Sequence, residues 1–381
     1  MTKRLLLFGM NRLSEAVAKG NLSYLRHYER YFDEVYVVYL YGDLEEPIKM
    51  GKTTCISVGR GSPLSDLLLA PIRLLRLARQ LHVTSFLTAD IVFSWWTSAL
   101  LRIVLGAPVV LMPVCIPDEI YRSTGRSLSG APIFLERCAL RLSYWAATRI
   151  VTSQNGAAQV AWLRADWQTA GKLAVLPATP EEFPPATVFD ALFSYERRSD
   201  ELNEPARLLY VGRLHHEKLC ADLVPLMHEL KKRGVDAKMV VAGDGPEFES
   251  MVSTSRELEV SDRFEWLGFV GAEDLPKIYI GSDIFVSTVT GTALREAAFA
   301  GLPVVGYNTD WVKVLLKHEE TALLVPPHKP EELALQIERV LRDADLRHRI
   351  ATAFRDKARQ MWNLNSIAQG LHEMFDAAGA A

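Results

Sequence analysis

Between Ala206 and Arg233 the chain reads as an apolar strand (Ala206–Val211), a glycine turn with two positive charges (Gly212–Lys218, GRLHHEK) and an amphipathic helix over about Cys220–Arg233. Strand, turn and helix in that order belong to α/β architecture, in which parallel strands are covered by helices. The glycine lets the backbone approach a ligand closely. Arg213 and Lys218 would neutralise an anion held outside the strand's carboxyl end. Any Rossmann-like unit can also carry Arg and Lys in a plain surface loop, so this turn by itself does not decide a function.

A second unit of the same kind lies downstream. Ser282–Val305 reads as a strand, a polar turn centred on Gly291, an alanine-rich helix from about Thr292, then Gly-Leu-Pro and another apolar strand. Amides of Gly291, Thr292 and Ala293 at the start of that helix are unpaired and sit at its positive dipole end, which suits phosphate. Glu296 lies one turn in, on the same face as Thr292, where a carboxylate accepts hydrogen bonds from a ribose diol. A plain alternative is that Glu296 complements the helix dipole.

The amino half alternates in the same way. Strands are expected at Arg4–Phe8, Glu34–Tyr41, Thr54–Val58, Ser85–Thr88, Pro108–Met112, Ile150–Thr152 and Leu173–Leu176. Helices are expected over Leu13–Tyr31, Ser65–Leu81, Phe93–Leu105 and Ala131–Ala146. Pro177–Pro205 breaks the pattern, because its prolines remove donors and restrict the residues before them. This places a linker at 181–204 between an amino-terminal domain (1–180) and a carboxyl-terminal domain (205–361), with a last helical segment over 362–381. A chain of 381 residues has room for two domains.

Order and spacing of the carboxyl-half motifs resemble the retaining glycosyltransferases of the GT-B fold, family 4. The matching segments are Gly212–Lys218, Val240–Glu249 (VVAGDGPEFE), Phe264–Val270 (FEWLGFV), Asp274–Val286, Arg295–Val305 (REAAFAGLPVV) and Thr321–Pro327. The resemblance implies an α/β GT-B fold: two Rossmann-like domains facing across a cleft, with the carboxyl-terminal helix returning to the first. It implies Arg213 and Lys218 on a donor diphosphate, Glu296 on the nucleotide ribose, and amides of Gly291–Ala293 on phosphate. Gly212 would shape the turn, and the backbone of Gly268, Phe269 and Val270 would edge the base. On the acceptor side it points to Gly9, Met10 and Asn11 after the first strand. Asp118 or Glu119 in Pro113–Glu119 would supply a polar group to the cleft in place of the histidine that the family carries there. Either carboxylate also reads as a surface-loop residue.

Two positions depart from the pattern. The family carries a pair of glutamates with seven residues between them, and the first of the pair falls on Thr288 unless the loop Ser287–Thr290 is shifted. A hydroxyl does not replace that charge toward the donor sugar. The family's histidine after the strand Pro108–Met112 falls near Val114.

No metal and no cofactor is expected, since the sequence offers no HExxH, no catalytic triad signature and no evident Asp-x-Asp pair of the kind that metal-dependent glycosyltransferases use to hold a divalent ion. Positive side chains and helix amides would take the metal's place on the diphosphate. Cys55, Cys115, Cys138 and Cys220 lack metal or disulfide spacing. Thiols packed in a reducing compartment account for them, and the opening residues read as a strand rather than a signal peptide. The location expected is cytoplasmic, with peripheral contact at the inner face of the membrane. Ile91–Ile116 contains Arg102 and Gly106-Ala107-Pro108, which argues against a span. A net charge of −3 gives no reason to expect nucleic acid.

That net charge hides an asymmetry: residues 1–180 hold 20 Lys and Arg against 13 Asp and Glu. Arg73, Arg76 and Arg79 recur among leucines, and Arg137, Arg141 and Arg149 punctuate an apolar stretch with Tyr144 and Trp145. Such faces suit anionic headgroups, although each alone also reads as a solvated helix. The partners implied are a UDP- or GDP-linked sugar, a saccharide or polyprenyl-lipid-linked acceptor, and an anionic membrane. The favoured activity is sugar transfer in polysaccharide or glycoconjugate synthesis. Competing readings are a non-catalytic partner of the same fold and a nucleotide-sugar epimerase or hydrolase.

Overall fold

The computed structural model describes residues 2–9, 25–39, 46–58, 63–88, 95–113, 131–153, 157–176, 179, 183–196, 202–289, 291–309 and 312–379. Met10, Asn11, Asp118 and Glu119 lie outside these residues. The chain divides into two compact units, residues 1–181 with 364–381, and residues 182–363. Both are parallel-sheet α/β units.

In the first unit, strands β1 (Arg4–Gly9), β2 (Glu34–Tyr39), β3 (Ile48–Met50), β4 (Thr53–Ser57), β5 (Ser85–Thr88), β6 (Val109–Leu111), β7 (Arg149–Ser153) and β8 (Leu173–Leu176) form one sheet. Their order is β3-β4-β2-β1-β5-β6-β7-β8. Runs such as Leu5-Leu6-Leu7 and Val109-Val110-Leu111 are buried at every position, as a strand covered on both faces requires. β3 is the exception to the parallel arrangement. It returns antiparallel on β4 through Gly51, whose φ of +60° suits a glycine. Three residues are too few to show periodicity, so this hairpin is not legible in the sequence. Gly9, an expected acceptor-side residue, is the last residue of β1 and pairs with Tyr39.

Helix Leu364–Gly379 belongs to this first unit and lies along β6, β7 and β8. Phe375 meets Phe32 edge-on at 4.9 Å and stacks on Tyr31 at 6.3 Å. Asp376 accepts from Tyr31 and pairs with Lys3, which together hold its carboxyl below the usual range.

The second unit holds six parallel strands: β9 (Ala206–Val211), β10 (Ala237–Ala242), β11 (Phe264–Gly268), β12 (Ile284–Ser287), β13 (Val304–Tyr307) and β14 (Leu323–Val325). Their order is β11-β10-β9-β12-β13-β14. Strand order therefore reverses between β9 and β12, and the carboxyl ends of those two strands flank the crevice where open α/β sheets bind ligands. Helix Leu223–Lys232 buries Val224, Leu226, Met227 and Leu230 in the core with Leu208 and Tyr210 of β9.

The proline-rich stretch expected as a linker needs correction. Residues 182–204 belong to the second unit, and Ala186–Phe193 is a helix within them. Proline cannot continue a helix but is tolerated before one, and Pro185 is the N-cap here. Phe189 and Phe193 then meet Phe299 at 5.4 and 5.6 Å, so this helix backs Thr292–Phe299.

Candidate functional site

Two turns leave the carboxyl ends of neighbouring strands at the reversal point: Gly212–Lys218 after β9, and Thr288–Gly291 after β12. Ordinary backbone packing shapes the first. Gly212 donates to the Ala242 carbonyl at 3.1 Å, and Gly243 donates to the Gly268 carbonyl at 2.8 Å. A Cβ on Gly243 would stand 1.8 Å from the Gly212 carbonyl oxygen, so only glycine allows this approach. Leu214 is fixed at both ends: its amide donates to Asp244 at 2.9 Å, and its carbonyl accepts from Glu247 at 3.1 Å. Gly245, at φ +157°, would put a Cβ 2.3 Å from that same carbonyl. The Gly-Asp-Gly segment after β10 thus presses the turn into shape. Sequence reading takes it as a simple turn, because a steric tie across strands leaves no local signal.

The two turns are joined to each other. Thr288 is fully buried and its hydroxyl donates to the Lys218 carbonyl at 2.6 Å. Its placement is that of a strut holding the basic turn against the β12 loop, and not of a solvent-facing ligand contact. Counting back from Glu296 puts Thr288 at a donor-contacting position, whereas in the structure its hydroxyl is bonded to backbone.

Electrostatically the basic turn is incomplete. Arg213 is exposed and Lys218 half-buried, and among the described residues neither has a carboxylate partner. Burial and then repulsion from Arg213 hold the Lys218 ammonium below its usual pKa, with Glu217 opposing. A group whose charged form is already disfavoured gains from any anion that arrives. Two such cations beside a helix start can hold a doubly charged phosphate group.

Helix Thr292–Phe299 supplies that start, with Gly291 as N-cap and Leu294 donating to the Gly291 carbonyl at 3.1 Å. Gly291 is exposed, Thr292 half-exposed and Ala293 buried. Glu296, one turn in, is only 4% exposed. Tyr279, itself fully buried, donates its hydroxyl to one Glu296 carboxylate oxygen at 2.6 Å. Burial pushes the Glu296 carboxyl up to about 7, against the Tyr279 hydrogen bond and the nearby Arg295 charge. Among the described residues only Tyr279 hydrogen-bonds this carboxylate, which leaves an oxygen for a ligand hydroxyl. Tyr279 lies seventeen residues away, and the apolar helix Leu275–Ile280 gives no hint in the sequence that one tyrosine turns toward a carboxylate.

At the far edge of the sheet, Gly268 ends β11 with φ +63°, Phe269 is 53% exposed and Val270 is half-buried. Within the basic turn, the His215 and His216 rings lie 4.2 Å apart, and His215 Nδ1 is 3.6 Å from the Glu217 carboxylate. Ligand atoms of these three lie within 4.8 Å of one another, the arrangement among the described residues that resembles a metal-binding group.

Residues 194–357 match the family described as glycosyl transferases group 1. The chain is 27% identical over 203 residues to the uncharacterized glycosyltransferase MJ1607 of Methanocaldococcus jannaschii, covering 52% of each chain. It is 30% identical over 154 residues to the alpha-D-kanosaminyltransferase of Streptomyces kanamyceticus, 39% of this chain and 40% of that one. It therefore spans about half the length, or less, of these curated relatives. Among solved structures, Anabaena Alr3699/HepE in complex with UDP is similar over 99% of this chain and 100% of its own, with a TM-score of 0.69 at 16% identity. That likeness is one of fold, and it is the GT-B fold.

Proposed function

We propose that this chain is a retaining glycosyltransferase that moves a sugar from a nucleotide-diphosphate donor to a saccharide or lipid-linked acceptor, in the synthesis of polysaccharide or glycoconjugate. The observation that carries the reading is the pair of unneutralised cations, Arg213 and Lys218, seated by Thr288 against the loop that precedes a free helix start. Arg213, Lys218 and the amides of Gly291–Ala293 hold the diphosphate. Glu296 accepts from the ribose hydroxyls, and the backbone of Gly268–Val270 borders the base. UDP is the nucleotide we favour, because the similar Anabaena structure holds it.

Breaking the bond between sugar C1 and the diphosphate places negative charge on the departing phosphate. Donors aimed at that charge before the reaction lower the barrier, each by about 3–4 kcal/mol in comparable sites. Positive side chains and amides do this without a divalent ion. Retention follows if the acceptor attacks from the face the phosphate leaves, with the phosphate taking the hydroxyl proton.

Thr288 in place of a carboxylate favours one rival, a chain that binds nucleotide without transferring sugar. Incubation with UDP-glucose, UDP-N-acetylglucosamine and GDP-mannose, with a panel of saccharide and polyprenyl-phosphate acceptors, separates the two. New α-linked product, assigned by the anomeric proton coupling, supports transfer. Free sugar or an epimerised donor would point to the alternative chemistries, and tight UDP binding with no product to the non-catalytic one.

A further inference from the structure

We propose that the outward face of helices Pro63–Gln80, Trp95–Leu105 and Ala131–Ala146 seats the first unit on an anionic lipid bilayer. This surface lies wholly within the first unit and does not depend on the donor site in the second.

Spacing along the helices carries the argument. On Pro63–Gln80 the exposed residues Leu69, Ile72, Arg76 and Arg79 recur at three, four and three, while Leu74 and Ala78 are buried. On Ala131–Ala146 the exposed Phe134, Cys138, Leu142 and Trp145 recur at four, four and three, while Ala139, Leu140, Ser143 and Tyr144 point inward. Ala131–Ala146 thus has a second apolar stripe, where one suffices for a core, and Pro63–Gln80 presents a mixed apolar and cationic one. Trp95–Leu105 lies against both helices and adds Ile103, 69% exposed, and Val104.

Hydrogen bonds tie the ends of Trp95–Leu105 and Ala131–Ala146 together. Arg102 donates to the carbonyls of Ala146 and Ala147 at 3.0 and 3.1 Å, which sets Ile103 near the end that carries Trp145. Lys172 donates to the carbonyls of Tyr144 and Trp145 at 2.8 and 3.0 Å. Arg141 pairs with Asp166. Trp167, the next residue, is 81% exposed beside the same helix. Large apolar side chains exposed together on neighbouring elements mark an interaction surface.

Charge selects the partner. Described residues in 63–113, 131–153 and 157–176 include nine Lys and Arg but three Asp and Glu, of which Asp166 is paired. The cationic set differs from the simple repeat in the sequence. Positions three apart on a helix drift by about 60° per step, and Arg73 accordingly turns aside to donate to the Val58 carbonyl at 2.8 Å. Arg76 and Arg79 remain outward with Leu69 and Ile72. Arginines that extend to phosphates while tryptophan and aliphatic side chains enter the headgroup layer describe an interfacial anchor. A second copy of this chain fits less well, since a two-fold contact would bring like charges together.

Co-sedimentation of the full chain with vesicles tests this, using phosphatidylcholine alone and phosphatidylcholine mixed equally with phosphatidylglycerol. We expect binding to the mixed vesicles that weakens with salt, and little to the neutral ones. Trp145→Ser with Trp167→Ser should lower the bound fraction at least tenfold, and Arg76→Glu with Arg79→Glu should remove the preference for anionic lipid. Exposed positions make misfolding a small risk, but quenching of wild-type tryptophan fluorescence by brominated lipid gives a readout that needs no variant. Wild-type protein that stays in the supernatant at low salt, or binds both vesicles alike, overturns the proposal. So does sedimentation velocity showing a dimer that the tryptophan variant splits.

Discussion

Glu296→Gln removes a buried charge and keeps the shape and the acceptor that Tyr279 requires, so its effect on stability isolates the cost of the carboxylate. Its carboxyl is pushed from the usual 4.5 up to about 7. Between those values the native state holds a proton that the unfolded chain has released, so stability falls as pH rises through that window. That rise in pKa corresponds to about 3 kcal/mol, fully incurred above pH 7 and absent below pH 4.5. Glutamine carries no such cost. Wild type and variant should therefore agree near pH 4.5 and diverge toward pH 8, with glutamine the more stable by up to about 3 kcal/mol. Urea titrations at pH 5, 6, 7 and 8, read by hydrogen exchange in the peptide spanning 292–302, report on the second unit without assuming that both units unfold together. Parallel pH curves, or a glutamine variant less stable at pH 8, would refute the assignment of a strained, buried carboxylate. A charge kept at such a cost, with one oxygen left for a ligand, is what a binding site rather than a core retains.

The same carboxyl predicts that uridine affinity, by calorimetry, weakens as pH falls from 8 to 6 and that Glu296→Gln abolishes this dependence, whereas UDP keeps the part due to its own terminal phosphate. Thr288→Val keeps volume but loses the bond to the Lys218 carbonyl; we expect about 1–2 kcal/mol of destabilisation by urea melts and weaker UDP binding, with Thr288→Ser restoring both. Gly243→Ala forces a Cβ onto the Gly212 carbonyl. It should cost about 3 kcal/mol or prevent folding, visible as a loss of soluble yield or of thermal midpoint.

How far the sequence could be read depends on whether each feature is local. Ala206–Val211 and Ala131–Ala146 have in the structure the limits that their apolar patterns give, because a buried strand and a two-sided helix are encoded in adjacent residues. That β9 to β14 lie parallel follows from repeated strand–helix alternation, whereas their order, reversed between β9 and β12, does not. Ala186–Phe193 was hidden by its flanking prolines, whose breaking effect stops at the N-cap, and β3 by its brevity. In the candidate site, the basic turn and the helix start announce themselves by composition. Thr288 bonding to Lys218 across seventy residues, Tyr279 turning toward Glu296, and Gly243 meeting Gly212 are products of strand adjacency. A pattern within one element does not contain them.

Titration of the full chain with UDP and with uridine, wild type beside Lys218→Ala, measures most directly whether the turn after β9 is a diphosphate site. UDP should bind the wild type and lose at least tenfold in affinity in the variant, while uridine binds both weakly and alike. Equal UDP affinity in wild type and variant, or none in the wild type, would contradict the account.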